Sequence, residues 1–351
     1  MQRAVSYFIV FVLTVLTLFR CFSGIRIAPL QKWDENTNVR VVRESVDLKS
    51  FPVLYLDGVP FFEKPPLWYW IHSIISPANN LLLSMRYMNA LLGFFTILIS
   101  VYISFSVWGR VSAVITWCIL LASNQLFITN PGGIFSTHTL RSADVDSLTI
   151  FLIICMTHVL ISYRKNKAQL IMLGILSGLA VLSKGPIGIV PICIHIAIRL
   201  RRNTRVTSKS LYIPVGLLLL IVLPWYTFMT YRFGNEFITN HFFYHMVRRV
   251  LIPLEGHSQP WWYYIYLFSG FHTFPGFIFL VLSFLWSMYR NLLHGNRTLQ
   301  IIYVLFFIYF FTPMIIQTKL AWYILPAYPF AAILTGAVLS DCFRWFSVSR
   351  V

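Results

Sequence analysis

The chain has 351 residues, of which 58% are hydrophobic and 11% charged, with a mean hydropathy of +0.71; an ordinary soluble domain carries roughly 25% charge, so a soluble fold is all but excluded. The net charge of +17, from 28 Lys and Arg against 11 Asp and Glu, would suggest a nucleic-acid partner in a soluble protein. Here the basic residues gather in short segments between apolar runs, which is how membrane spans are oriented, and no nucleic acid is implied.

The first apolar run, Ala4 to Phe19, follows Met1-Gln2-Arg3 as in a signal peptide. No small-x-small cleavage site comes after it, and Arg20 before Cys21 spoils a lipoprotein reading, so it is expected to be an uncleaved span over about 4–22. Apolar runs bounded by charge, Gly or Pro predict further spans over about 86–108, 112–129, 145–163, 168–183, 186–200, 211–230, 263–289, 300–316 and 320–340. With a cytoplasmic N-terminus, the basic clusters Arg164/Lys165/Lys167, Arg199/Arg201/Arg202/Arg205/Lys209, Arg290/Arg297 and Arg344/Arg350 all fall inside. The expectation is one all-α polytopic inner-membrane domain over 1–351, a bundle of about ten helices with both termini cytoplasmic. Two long outer loops, about 23–84 and 231–262, are expected to carry function and short interfacial helices. One of these, from Pro66 to Ile75, would set Trp68, Tyr69 and Trp70 at headgroup level. Every carboxylate except Asp341 then faces outward, so acid-base or metal chemistry belongs outside. Cys21, Cys118, Cys155, Cys193 and Cys342 stand singly, with neither metal spacing nor a disulfide framework.

Taken in chain order, the motifs lie at the outer ends. Trp33-Asp34-Glu35 follows the first span and is most simply a solvated cap. Glu63-Lys64-Pro65-Pro66-Leu67 is less ordinary, because two prolines fix the backbone and hold a cation where a lipid phosphate would sit. His138-Thr139-Leu140-Arg141-Ser142-Ala143-Asp144-Val145-Asp146 opens the fourth span. Asp144 alone would serve as a helix-start charge, which leaves Asp146 unexplained; ionisable groups near membrane depth usually face a cavity or a partner. Ser183-Lys184-Gly185-Pro186 makes a tight turn that explains Gly-Pro but not Lys184. Beyond Gly234-Asn235-Glu236-Phe237 come His241, His245, Arg248, Arg249, Glu255 and His257, a set able to hold a metal or grip a phosphate. Gln317-Thr318-Lys319-Leu320-Ala321-Trp322-Tyr323 is either an interfacial anchor or part of the same site.

The order of these pieces resembles the lipid-carrier-dependent glycosyltransferases of the GT-C class, including protein O-mannosyltransferases and bacterial aminoarabinose:lipid A transferases. The matching elements are Asp34-Glu35, Glu63 to Leu67, Arg141 to Asp146, Lys184-Gly185-Pro186, Pro224-Trp225-Tyr226 before Gly234 to Phe237, Arg248 with His257, and Lys319-Leu320 with Tyr323 to Pro326. The resemblance implies a GT-C-like bundle with Asp34, Glu35, Asp144 and Asp146 at the catalytic centre. It implies Lys64, Lys184, Arg248 and Lys319 as ligands of the carrier phosphate. No cofactor is required, although Glu63 and His257 could bind a divalent metal as in some relatives. Larger relatives continue into an extracytoplasmic C-terminal domain that this sequence is expected to lack. The implied partners are membrane lipid, a polyprenyl-phosphate-linked sugar donor, and a lipid A, envelope glycan or protein acceptor. A multi-span transporter would put polar groups near mid-span and show repeated halves, and a polyprenyl-diphosphate polymerase or ligase would favour arginine-dominated loops. Neither pattern is present.

Overall fold

The computed structural model describes residues 2–76, 78–128, 137–162, 166–201, 208–270, 277–294 and 297–348. Of the basic clusters, Arg164, Lys165, Arg202, Arg205 and Arg350 lie outside the described residues. The rest is almost entirely helical. Helix α1 (Gln2–Phe22) leads into α2 (Asp34–Asp47), a two-residue hairpin of β1 (Tyr55–Leu56) and β2 (Val59–Pro60), and α3 (Leu67–Ile75). The bundle continues with α4 (Leu81–Trp108), α5 (Arg110–Ala122), α6 (Asp146–Ile161), α7 (Lys167–Lys184), α8 (Val190–Arg201) and α9 (Ser208–Phe237). The single turn α10 (Arg249–Leu251), then α11 (Tyr263–Ser269), α12 (Phe277–His294), α13 (Arg297–Ile315) and α14 (Ala327–Val348) complete it.

By length and composition, Ala4–Phe22, Leu81–Trp108, Lys167–Lys184, Leu211–Leu251 and Arg297–Ile315 are each apolar enough to cross a membrane. Arg110–Ala122, Asp146–Ile161, Pro186–Ile198 and Phe277–Trp286 are shorter apolar helices. Helices α4, α6 and α7 pack in sequence, with α9 on α7 and α14 on α5. Helix α14 buries Ala327, Ala331, Ala332, Thr335 and Ala337; in lipid, where tails are as apolar as Leu, small residues of this kind allow the close approach that holds helices together.

Two local expectations are corrected. The segment 231–262 is not mainly a loop. Helix α9 turns at Gly234 (φ 53°) and continues as a π-helix, Ile238–Arg248, into α10, where the rings of Phe237, His241 and Phe242 pack on one another. The span expected over 263–289 is divided: α11 ends where Gly270 is extended (φ −62°, ψ 126°), and α12 begins at Phe277. Helix α3 is present as expected, and its Trp68 and Tyr69 are buried within the protein. Trp68 Nε1 donates to Asn89 Oδ1 at 3.1 Å and Tyr69 Oη to Asn38 Oδ1 at 2.7 Å, so buried polar partners draw both rings inward.

Candidate active site

One end of the bundle is closed by α2, α3 and the segment 137–146, and the last of these is shaped by its neighbours. Gly93 on α4 faces the Leu140 backbone so closely that a β-carbon would stand 2.7 Å from the Leu140 carbonyl oxygen. Asn89 donates from Nδ2 to the carbonyls of Ser142 (2.5 Å) and Asp144 (2.7 Å), and Asn38 donates to Ala143 O and Asp144 Oδ1. Arg141 donates to the carbonyls of Phe127, Arg20 and Ser23. Glu35 is spent on the same scaffold. Its carboxylate accepts from Arg86 Nε at 2.8 Å and Nη2 at 2.5 Å, from Ala143 N and from Gln31 N, with both members of the pair buried. Asp144 is likewise engaged, Oδ2 accepting from the His138 backbone N–H at 2.6 Å.

What this scaffold presents is a chain of alternating charges. Lys64 Nζ lies 3.3 Å from Asp34 Oδ1, His138 Nε2 lies 2.6 Å from Asp34 Oδ2, and His138 Nδ1 lies 2.7 Å from Asp146 Oδ2. Asp146 Oδ1 then meets the Lys184 ammonium. Lys184 is the last residue of α7, and Gly185 (φ 78°) reverses the chain there in a conformation that L side chains rarely adopt. The His138 ring stacks flat on Trp322, centroids 3.7 Å apart at 3°. Burial works to raise the Asp34 carboxyl, but Lys64 and His138 outweigh it and hold it below the usual carboxylate range. Burial opposes charge on Lys64 and His138 too; Asp34 nonetheless raises Lys64 well above its ordinary value, and Asp144, Asp146 and Asp34 raise His138 to about 9. Burial pushes Asp144 up.

The chain borders a cavity of about 430 Å³. Its polar lining includes Asp34, Glu63, Lys64, His138, Lys184 and Arg249, and its apolar lining includes Val190, Ile308, Pro313 and Ile316. The Lys64 ammonium makes no hydrogen bond among the described residues, so its protons remain available to a ligand. An anion carrying a hydrocarbon tail suits a lining that holds both kinds of residue.

Of the residues singled out from sequence, Asp34, Asp146, Lys64 and Lys184 are brought together. Glu35 and Asp144 stand behind them as scaffold. Arg248 is exposed, its guanidinium 5.3 Å from the Tyr244 ring centroid, and its neighbour Arg249 takes the place on the wall. Lys319 is buried, Nζ donating to the carbonyls of Met314 (2.9 Å) and Ile316 (2.6 Å) at the end of α13, where a cation suits the helix dipole. His138, Trp322, Arg249 and His245 stand inside the sequence motifs, which gave them no individual role. His138 did open the fourth-span motif, and Trp322 followed Lys319-Leu320.

Among the described residues, Glu63 and His257 do not belong to the cluster of three side chains that could ligate a metal. Glu63 lies on the wall with Oε1 3.8 Å from Lys64 Nζ. His257 packs edge-on against Trp33 with Nε2 4.0 Å from Glu255 Oε2, and is not a wall residue. Ligand atoms of Asp34, His138 and Asp144 do lie within 4.8 Å of one another, but both His138 nitrogens already face carboxylate oxygens. That set is neutralised by its own cations and offers a metal no imidazole lone pair.

Residues 49–238 match the family described as dolichyl-phosphate-mannose-protein mannosyltransferase. The chain is 27% identical over 284 residues to an uncharacterised protein of Aquifex aeolicus, covering 79% of this chain and 53% of that one. It is 24% identical over 324 residues to the undecaprenyl phosphate-alpha-4-amino-4-deoxy-L-arabinose arabinosyl transferase of Serratia proteamaculans, covering 88% and 55%. The chain thus spans little more than half the length of these relatives. Among solved structures, ArnT from Cupriavidus metallidurans bound to undecaprenyl phosphate superposes with a TM-score of 0.75 at 20% identity, over 94% of this chain and 60% of that one. The oligosaccharyltransferase of Archaeoglobus fulgidus superposes with a TM-score of 0.58 at 16% identity, over 98% and 50%.

Proposed function

The chain belongs to the dolichyl-phosphate-mannose-protein mannosyltransferase family, and on that premise we propose that it transfers a sugar from a polyprenyl-phosphate carrier to a hydroxyl acceptor. The observation that carries the reading is the cavity: two lysines in its lining, an ammonium at Lys64 without a hydrogen bond among the described residues, the Asp34 carboxylate, and apolar side chains in the same lining. A carrier phosphodiester needs the cations, and its prenyl tail needs the apolar side chains.

In the reaction the bond between the anomeric carbon and the phosphate oxygen breaks as the acceptor oxygen bonds to that carbon. Negative charge builds on the departing lipid phosphate, and Lys64, Lys184 and Arg249 meet it. Asp34 orients the acceptor hydroxyl and receives its proton. Because Asp34 is a weak base between Lys64 and His138, that transfer comes late, once the new bond has made the hydroxyl acidic; the proton then passes to solvent. A single displacement inverts the anomeric centre. Glu35 and Asp144 hold the site rather than react, and Arg248 and Lys319 yield the phosphate role to Arg249. The site faces the extracytoplasmic side, both termini are cytoplasmic, and residues 1–351 act as one membrane domain.

The sugar is a hexose or an aminopentose, and the acceptor lipid A, an envelope glycan or a protein. Purified protein in proteoliposomes, supplied with undecaprenyl-phosphate-linked mannose or 4-amino-4-deoxy-arabinose and each acceptor in turn, is expected to give a labelled product with one pairing. Release of free carrier with no pairing above the Asp34→Asn background would overturn the reading.

A further inference from the structure

His138 occupies the middle of the charge chain in a conformation that few residues adopt. Its φ is 53°, a region where His is enriched among non-glycine residues yet still uncommon. Its own backbone N–H is tied to Asp144 Oδ2, and its ring face is pressed on Trp322. Strained backbone persists where surrounding contacts over-determine it, and here Trp322 holds one ring face while Asp34 and Asp146 meet the two ring nitrogens. A neutral imidazole has one N–H and one lone pair. The lone pair would stand against a carboxylate oxygen at 2.6 or 2.7 Å, so both contacts are attractive only for the imidazolium.

We infer that His138 is the positioning residue of the transfer reaction: its imidazolium holds Asp34 Oδ2 by charge at 2.6 Å, without a hydrogen bond at Nε2 among the described residues, and leaves Oδ1 for the acceptor hydroxyl. The inference rests on the proposed transfer function. Lys64 cannot do this alone, because it stands 3.3 Å from Oδ1 whereas His138 Nε2 stands 2.6 Å from Oδ2, and the Lys64 protons are directed to the carrier phosphate. Asp146 holds the far nitrogen and joins the ring to Lys184, so the acceptor-side carboxylate and the donor-side cation share one rigid frame. His138 neither gains nor loses a proton in the cycle. The acceptor proton goes to Asp34 and then to solvent, and the imidazolium keeps Asp146 as countercharge while Asp34 is transiently neutral.

Two substitutions tolerate the backbone: His138→Asn, since Asn also enters this region, and His138→Gly. Neither spans the two carboxylates. In proteoliposomes His138→Asn is expected to keep undecaprenyl phosphate binding within about threefold of wild type while kcat falls about 10²-fold, the scale of a misplaced reacting group. Added imidazole is expected to restore about tenfold of the loss in His138→Gly and nothing in Asp34→Asn. Wild-type kcat in His138→Asn would overturn the inference. So would equal losses of binding and kcat without imidazole rescue, which mark a purely structural role. Absence of transfer by the wild-type protein itself would strike the transfer reading instead, so the two failures are distinct.

Discussion

Lys64 Nζ and Asp34 Oδ1 stand 3.3 Å apart on one wall of the cavity, close enough to share charge yet without a hydrogen bond. The ammonium is therefore fixed by attraction but keeps its donors. Charge-assisted contacts to a ligand phosphate are typically worth about 1.5 to 3 kcal/mol, roughly one to two decades in affinity or rate. Lys64→Met, which keeps the stem and removes the charge, is expected to raise the donor KM or lower kcat by that amount with unchanged membrane insertion. Lys64→Arg is expected to recover part of the loss, because a planar fork does not replace a compact ammonium. Wild-type donor dependence in Lys64→Met would move phosphate recognition to Lys184 and Arg249.

The pH profile follows from His138. Burial alone would lower it, but the carboxylates of Asp144, Asp146 and Asp34 raise it from 6.5 to about 9. A raised value means the imidazolium's contribution is fully present below about 6.5 and is lost as pH climbs through about 9. Transfer is expected to fall on that alkaline limb, and thermal stability to decline over the same window. The other charged groups around the ring are Lys64, which stays protonated there because its own value is higher still, and Lys184 beyond Asp146. Rates measured from pH 6 to 10 on wild type and His138→Asn should show the limb in the first and not in the second.

Sequence carried the bundle and much of the site because both rest on local signals: apolar run length for the spans, and charge beside proline or glycine for Lys64 and Lys184. It did not carry the division of labour among neighbours. Asp34 and Glu35 are adjacent, yet one faces the cavity and the other meets Arg86, 51 residues away. Arg248 and Arg249 differ only in which face of a π-helix junction they occupy. The inward turn of Trp68 and Tyr69 depends on Asn89 and Asn38, polar residues whose burial no apolar periodicity reveals.

The Glu35–Arg86 pair supports a prediction opposite in kind to that for its neighbour. Both side chains are buried, and breaking a buried pair by removing one charge typically costs about 3 to 5 kcal/mol. Arg86 retains the carbonyls of Ile25, Ala28 and Pro29, which places Glu35→Gln near the lower end. The expected outcome is a lower unfolding temperature and yield, with near-normal transfer per folded molecule. Full stability combined with lost turnover would return Glu35 to the catalytic group.

Orientation is open to direct labelling. Asp57 and Glu255 are exposed, whereas Asn166 caps the start of α7. In a background lacking the five native cysteines, an impermeant thiol reagent applied from outside is expected to reach Asp57→Cys and Glu255→Cys and to miss Asn166→Cys. The reverse pattern would place the cavity on the cytoplasmic face.

The most severe loss is expected at Asp34. Its carboxylate stays ionised across the working range because Lys64 and His138 hold it low against the pull of burial, so no acid limb from this group should appear near neutral pH. Asp34→Asn keeps the shape and can still face His138 with its amide oxygen, but it cannot take the acceptor proton. General-base contributions run about 10²- to 10⁴-fold, and kcat is expected to fall within that range. Removing the negative charge also leaves Lys64 less neutralised, so affinity for the carrier phosphate should hold or tighten. Reduced kcat with undiminished carrier binding, measured on one preparation, is therefore the signature of Asp34 acting on the acceptor. A parallel loss of binding would instead show that the carboxylate serves mainly to anchor Lys64.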